Sequence, residues 1–354
     1  MRFLTTLALG LFAATGAFAQ EKSLTLIVGG GVLGDWVVKA FVEPFEQETG
    51  IKVNRIHEQA SAAQIKLKHE NKQIDFDLTG STGSISIPFL KQGIMKPIDY
   101  SKIDQALLAD LPDSAKREWG VQFMYYAWVL GLNAEKFPEG QPAPGNWAEF
   151  WDVEKFPGTR TLQSGELGFQ GPFEEALLAD GVTPDKLYPL DVDRAFASLD
   201  KIKPSIRKWW KVGSEMLQLF QSGGATMGMG FEGRFAALAN TERPARVVWN
   251  QAKMTGFFWS IPEGAKNVEE AYKFIEFTLR PDRQAAYATM SSYGPANPKA
   301  FEQIAPEVAK KLVTNPENQT NAYAMQDEWY AEIGPDGRTN SEMLAQRWNE
   351  WITK

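Results

Sequence analysis

The feature that most restricts the fold is a repeated local order: an apolar run, a glycine-rich break, then a helical pattern. Leu24-Thr-Leu-Ile-Val28 reads as a buried strand, and Gly29-Gly30-Gly31 breaks it. Asp35 to Glu48 then predicts an amphipathic helix with Trp36, Ala40, Phe41 and Phe45 on one face and Gly50 as its stop. Ile51 to His57 reads as a second strand and Ser61 to Lys72 as a polar helix. Phe76 to Thr79 is a third strand that runs into Gly80-Ser81-Thr82-Gly83-Ser84. Alternation of this kind specifies an α/β domain with a mainly parallel sheet. In such sheets ligands sit beyond the carboxyl ends of the strands, and both glycine-rich segments fall there.

The remainder predicts a second region of the same class. Gln122 to Asn133 is an aromatic strand able to cross between lobes, and Trp147 opens a short helix. Thr159 to Gln163 is a strand, Phe173 to Ala179 a helix, and Ala195 to Trp210 a helix broken by Pro204. Ala225 to Phe231, Arg246 to Trp249 and Phe257 to Pro262 read as strands, and Val268 to Leu279 as a helix stopped by Arg280-Pro281-Asp282. A chain of 354 residues exceeds one ordinary core, so two discontinuous lobes with a cleft are expected.

Met1 to Ala19 has the three parts of an export signal: Arg2, the apolar Phe3 to Ala14, and Ala17-Phe18-Ala19 before the cleavage point. The apolar run is too short to span a bilayer. The chain has no cysteine, which excludes disulfides, thiolate metal sites, cysteine nucleophiles and a lipid-modified cysteine anchor. A diffusible periplasmic protein of a Gram-negative cell is therefore expected. A net charge of −7 argues against nucleic acid and anionic membranes as partners. The only histidines are His57 and His69, which excludes a histidine-rich metal site. Twelve Trp, nine Tyr and 22 Phe supply surface for a small-molecule cleft.

Gly29 to Gly34 matches the dinucleotide pattern G-x-G-x-x-G between a strand and a helix, with Glu58 near the end of the next strand. An exported dinucleotide oxidoreductase is thus one alternative. Otherwise Gly30 and Gly31 offer bare backbone N–H groups to a carboxylate or hydroxyl, or form a turn with no ligand role. Ser81 and Thr82 offer hydroxyls that suit a polar ligand or a plain helix cap. Tyr125 and Tyr126 must face opposite sides of a strand, so only one lines a cleft, and Trp128 shares the face of Tyr126. Paired tyrosines also suit ferric ion, but such sites add hard-oxygen or imidazole ligands. Arg234, near Glu232, could clamp a carboxylate or make a salt bridge. No nucleophile elbow or carboxylate pair stands out, so no enzyme activity is expected.

With these residues assembled, the chain resembles the solute-binding proteins of bacterial ABC importers. It is most similar to the spermidine/putrescine-binding subfamily and its opine- and 4-aminobutyrate-binding relatives. The likeness is carried by Phe45-Glu-Gln-Glu-Thr-Gly-Ile-Lys-Val53, Phe76-Asp-Leu78, Asn146-Trp-Ala-Glu-Phe-Trp151 and Gly228-Met-Gly-Phe231. It continues in Ile261 to Asn267, Ala271 to Asp282 and Tyr293-Gly-Pro-Ala-Asn297. The resemblance implies two α/β lobes joined by hinge strands, with residues 20–132 plus 258–305 in one and 133–257 plus 306–354 in the other. It also implies a ligand in the cleft, delivery to an inner-membrane permease, a monomer, and no cofactor or metal. The acidic groups that hold polyamines in the subfamily are matched here by Gly29 to Gly31, by Gln163, Ser164 and Gly165, and by Phe257 or its neighbour; the tryptophan becomes Phe231. A solute carrying a carboxylate or hydroxyls as well as an amine is therefore expected, held by Gly30, Gly31, Ser81, Thr82, Tyr126, Ser164, Phe231, Arg234 and Phe258.

Overall fold

The computed structural model describes residues 22–57, 61–239 and 241–354. The export segment and Glu58 lie outside them. Three parallel strands, β1 (Ser23–Ile27), β2 (Lys52–Ile56) and β3 (Leu78–Ser81), lie in the order β2-β1-β3. The short β4 (Lys116–Arg117) folds back on the start of the long β5 (Gly120–Asn133). In the second region β6 (Arg160–Gln163) lies parallel between β7 (Ile206–Trp210) and β8 (Met227–Phe231). The chain returns through the 16-residue β9 (Ala245–Ser260), and two short strands complete the sheet, β10 (Gly294–Pro295) on β5 and β11 (Tyr323–Ala324) on β9. The path through the resulting 11-stranded sheet is β2-β1-β3-β9-β5-β8-β6-β7.

The two long antiparallel strands join the regions. The first part of β5, Val121 to Ala127, pairs with Met254 to Trp259 of β9, which in turn lies beside β3. From Trp128 onward β5 gains β8 as its other neighbour. A register shift between Trp128 and Leu130 marks this change of partner, as a bulge does when it redirects a strand. On β9 the matching irregularity is Gln251, a non-glycine residue at φ +63°. Its N–H donates to the Asn321 carbonyl, and its side chain and carbonyl accept from the backbone and indole N–H of Trp147, at 3.1, 3.0 and 3.1 Å.

Two expectations are corrected. Arg246 to Trp249 and Phe257 to Ser260 belong to one strand, because pairing with β5 carries the polar stretch between them through the sheet, and the strand stops before Ile261 and Pro262. The helix ending in Trp210 stops at Ile202; Pro204 ends it, and Ile206 to Trp210 pairs with β6 as β7. The helix Val268–Leu279 stops before Arg280-Pro281-Asp282 as expected, and Pro281 opens the next helix, Pro281–Ser291, where a missing N–H costs nothing.

The helix expected over Asp35 to Glu48 begins at Gly31 and runs to Thr49, with a π-helical stretch at Val38–Val42 and Gly50 at φ +68° as its left-handed stop. Ala40, Phe41 and Phe45 are buried on it as expected, and Phe45 packs edge-on against Phe274 and Phe277 at 5.1 and 5.4 Å. Asp77, from one of the family-like segments, is buried and accepts backbone N–H groups from Thr25, Lys266 and Asn267 at 2.8, 2.8 and 2.9 Å. It holds β1 to the start of a distant helix.

A charged network is buried where the crossing strands meet the second region. Lys253 of β9, opposite Trp128 of β5 and Tyr323 of β11, has no solvent exposure. Its ammonium donates to Glu174, Glu175 and the Gly171 carbonyl at 3.0, 3.2 and 3.1 Å and lies 5.0 Å from the Trp128 ring. Tyr188 and Tyr330 each donate to Glu174 at 2.6 Å, and Tyr323 to Glu175 at 3.3 Å. Burial alone would discharge the lysine, but the two carboxylates outweigh it and its pKa is raised.

Candidate ligand-binding site

The carboxyl ends of β1 and β3 meet the crossing strands at a cluster of aromatic rings. Tyr126 is its centre, with ring centroids 5.1 Å from Trp128, 5.8 Å from Phe231, 6.2 Å from Phe257 and 6.4 Å from Tyr293. Tyr125 points away and reaches Ser114, and Trp128 shares the face of Tyr126, as strand alternation requires. Trp36, on the first helix, meets Tyr293 edge-on at 5.9 Å. Phe257 lies over Gly80, where a Cβ would come within 2.5 Å of its ring; Thr82 shares that face and Ser81, opposite Phe258, takes the other.

Four buried polar atoms here have no hydrogen-bond partner among the described residues: Thr82 Oγ1, Glu232 Oε1, Arg234 Nε and Tyr287 OH. Buried polar atoms are nearly always paired, so four orphans beside one ring cluster set it apart from the rest of the described interior. Arg234 sits 5.9 Å over the Phe231 ring and packs on Gly213, where a Cβ would stand 2.3 Å from its Nε. Glu232 is 1 % exposed; its Oε2 accepts the Ala127 N–H of β5 at 2.9 Å. Burial pushes the Glu232 carboxyl well above its ordinary range. It also raises the phenols of Tyr126, Tyr287 and Tyr293, where nearby Glu232 adds to the effect and Arg234 lowers the last two.

Helix ends at the site are handled differently from expectation. Thr82 is the N-cap of the helix Gly83–Lys91, but its hydroxyl caps nothing. Asp327 does this instead: Oδ1 accepts the Ser84 N–H at 2.8 Å and the Ser84 hydroxyl, and Oδ2 accepts from Thr255 Oγ1 at 3.3 Å. Burial, opposed by those hydrogen bonds, raises the Asp327 pKa to about 6. The Gly29 to Gly34 pattern has a packing cause. A Cβ at Gly34 would stand 2.3 Å from the Gly29 carbonyl oxygen, and Gly29 and Gly31 hold φ of +80° and +63°. Close helix–strand contact accounts for Gly34, and the left-handed backbone for Gly29 and Gly31.

Of the expected residues, the structure brings Thr82, Tyr126, Phe231 and Arg234 together; Gly30 and Gly31 are exposed on the turn before the first helix, Ser81 lies opposite Phe258 on β9 and faces away with it, and Phe258 and Ser164 lie elsewhere. Phe258 faces the opposite side of β9, 4.3 Å from Trp119, because neighbours alternate along a strand; Phe257 takes the cluster side. Ser164 follows β6, and its hydroxyl accepts the Glu166 N–H at 3.3 Å. Gln163 beside it accepts from the Trp128 indole at 2.5 Å. Sequence reasoning did not place Glu232, Tyr287 and Tyr293 at this cluster; the only signal was an acid beside Phe231 and Arg234. Open grooves of about 800 Å³ beside Phe196 and Trp351, and about 670 Å³ beside Phe45 and Phe277, lie apart from the cluster. Ion pairs such as Arg347–Asp193 and Arg280–Glu48 border them.

The profile of the bacterial extracellular solute-binding protein family matches residues 40–326. The chain belongs to that family. It is 30 % identical over 354 residues to the gamma-aminobutyric acid-binding protein of Pseudomonas aeruginosa, covering 98 % of this chain and 95 % of the relative. A crystal structure of an ABC transporter substrate-binding protein from Bradyrhizobium japonicum superposes with a TM-score of 0.84 at 33 % identity, over 93 % of this chain and 99 % of the other. AgtB of Agrobacterium tumefaciens R10, in complex with agropinic acid, gives a TM-score of 0.80 at 28 % identity, over 95 % and 100 %. The two-lobed α/β fold expected for a type II periplasmic binding protein is the one the chain shares with these neighbours. Among the described residues, no helix is long and apolar enough to cross a membrane.

Proposed function

We propose that this protein is the periplasmic substrate-binding component of an ABC importer, that it catalyses no reaction, and that its solute is a small molecule with both an amine and a carboxylate, of the 4-aminobutyrate or opine class. The observation that carries the reading is Arg234, whose buried Nε lacks a partner while its guanidinium lies on the Phe231 ring. A planar, permanent cation in such a setting fits a carboxylate. Cleft closure at the bulged crossing strands, around Ala127–Trp128 and Gln251–Lys253, would then present the liganded form to the inner-membrane permease.

The alternative solute, a polyamine, needs a carboxylate at each ammonium group. Here Asp327 is already engaged by Ser84 and Thr255, and Arg234 adds a like charge. Calorimetric titration of 4-aminobutyrate, agropinic acid, putrescine and spermidine tests the reading. Binding of a zwitterion with at least tenfold preference over spermidine supports it, and the reverse order overturns it.

A further inference from the structure

We infer that Glu232 Oε1 is the acceptor for the solute's ammonium group, and that Glu232 and Arg234 together set the preference for a molecule carrying both charges. The inference rests on the amine-and-carboxylate reading above. One oxygen of Glu232 is fixed: Oε2 accepts the Ala127 N–H at 2.9 Å, at the point where β5 changes partner. Fixing Oε2 fixes the carboxylate plane, and Oε1 is left buried with no partner. Asp327, whose charge also reaches Tyr126, has both its oxygens bonded. Glu232 is thus the acid at the cluster with an acceptor atom to spare. Aromatic faces at Tyr126 and Phe231 add the environment in which an ammonium is held well. Arg234 stands two residues further on the same helix and so leaves it in a different direction; the charges of Glu232 and Arg234 nonetheless both reach Tyr287 and Tyr293, and the two halves of a zwitterion receptor meet at those phenols.

The arrangement has a consequence for protons. The charge of Glu232 reaches Tyr126 on β5, Tyr287 on the helix Pro281–Ser291 and Tyr293 after it, and Arg234 on its own helix reaches the last two. Burial favours the protonated form of the empty carboxyl. An arriving ammonium pairs with the carboxylate, so the carboxyl proton leaves to solvent as the ion pair forms. Butyrate, which brings no ammonium, leaves that proton in place.

The test compares wild type with Glu232→Gln, which keeps an oxygen for the Ala127 N–H. Each is titrated with 4-aminobutyrate and with butyrate, at one pH, in two buffers of different ionisation heat. The expected wild-type result is about one proton released with 4-aminobutyrate and none with butyrate. For Glu232→Gln we expect about tenfold to a hundredfold weaker 4-aminobutyrate binding, unchanged butyrate binding and no proton release. Equal 4-aminobutyrate affinity in the two proteins overturns the role of Glu232 while leaving the zwitterion reading intact. Wild-type 4-aminobutyrate heats that do not depend on buffer overturn it as well, whether or not the variant folds. If wild type binds spermidine and neither small ligand, the zwitterion reading falls, and this inference with it.

Discussion

Two buried polar clusters, both rich in tyrosine, lie along the crossing strands and differ in one respect. Around Lys253 the ammonium and both glutamates are partnered: two carboxylates and a carbonyl take the ammonium, and three phenols satisfy the carboxylates. Around Tyr126 a carboxylate oxygen, a guanidinium nitrogen and two hydroxyls are left without partners. The chemistry of the side chains is nearly the same. A closed network holds the strands in one arrangement, whereas an open one keeps its hydrogen-bonding capacity for a guest. On the proposed function, satisfaction more than composition separates a structural cluster from a receptive one.

Substitutions on each side test the contrast. The largest effect is expected at Lys253→Met, which strands Glu174 and Glu175 in the interior. It should lose about 3–5 kcal/mol of stability in denaturant titration, with the affinity of the folded fraction unchanged. A variant that stays stable but stops binding would merge the two clusters into one site.

Asp327 stands at the border, buried yet partnered. Its pKa is raised from 3.8 to about 6, so the folded state keeps a proton that the unfolded chain has released. Stability should therefore fall as pH rises from about 4 to about 6 and level off above, by about 3 kcal/mol at most. Asp327→Asn should flatten that slope in melts across the range. A slope unchanged in the variant assigns the dependence elsewhere.

Arg234→Gln should weaken 4-aminobutyrate binding by about 1.5–3 kcal/mol in calorimetry and shift the melting temperature of the free protein little. A large loss of stability with no loss of affinity would place Arg234 on the structural side. Ser164→Ala should be the smallest, within about 0.5 kcal/mol in stability and with no effect on affinity. A clear affinity loss there would extend the receptive cluster across β6.

The sequence made the framework more legible than the site, for physical reasons. Strand–glycine–helix order is local, and it gave β1, β2, β3 and the helices after them. The family-like segments are legible because they hold backbone together: Asp77 clasps Thr25, Lys266 and Asn267, and Asn297 donates to the Leu279 carbonyl at 3.0 Å. Such roles survive a change of solute. The site is assembled from Thr82, Tyr126, Glu232 and Tyr287, which no local pattern connects. The N-cap shows the same limit. Thr82 has the right residue type in the right place, yet Asp327, distant in the chain, is the group that caps the helix. Choosing Phe258 over Phe257 failed because the strand's absolute register depends on pairing with β3 and β5, which a single strand does not disclose.

The two long crossing strands also fix an order of events in the making of the molecule. β3 finds its second neighbour only in residues 258–260, and Asp77 completes its clasp only with Lys266 and Asn267. The first region therefore cannot finish folding until those residues have been made; its earliest strands wait for a segment almost two hundred residues downstream. Contacts of such long range form slowly. During that delay the nascent chain lacks a completed core, a state well matched to any machinery that moves polypeptides unfolded.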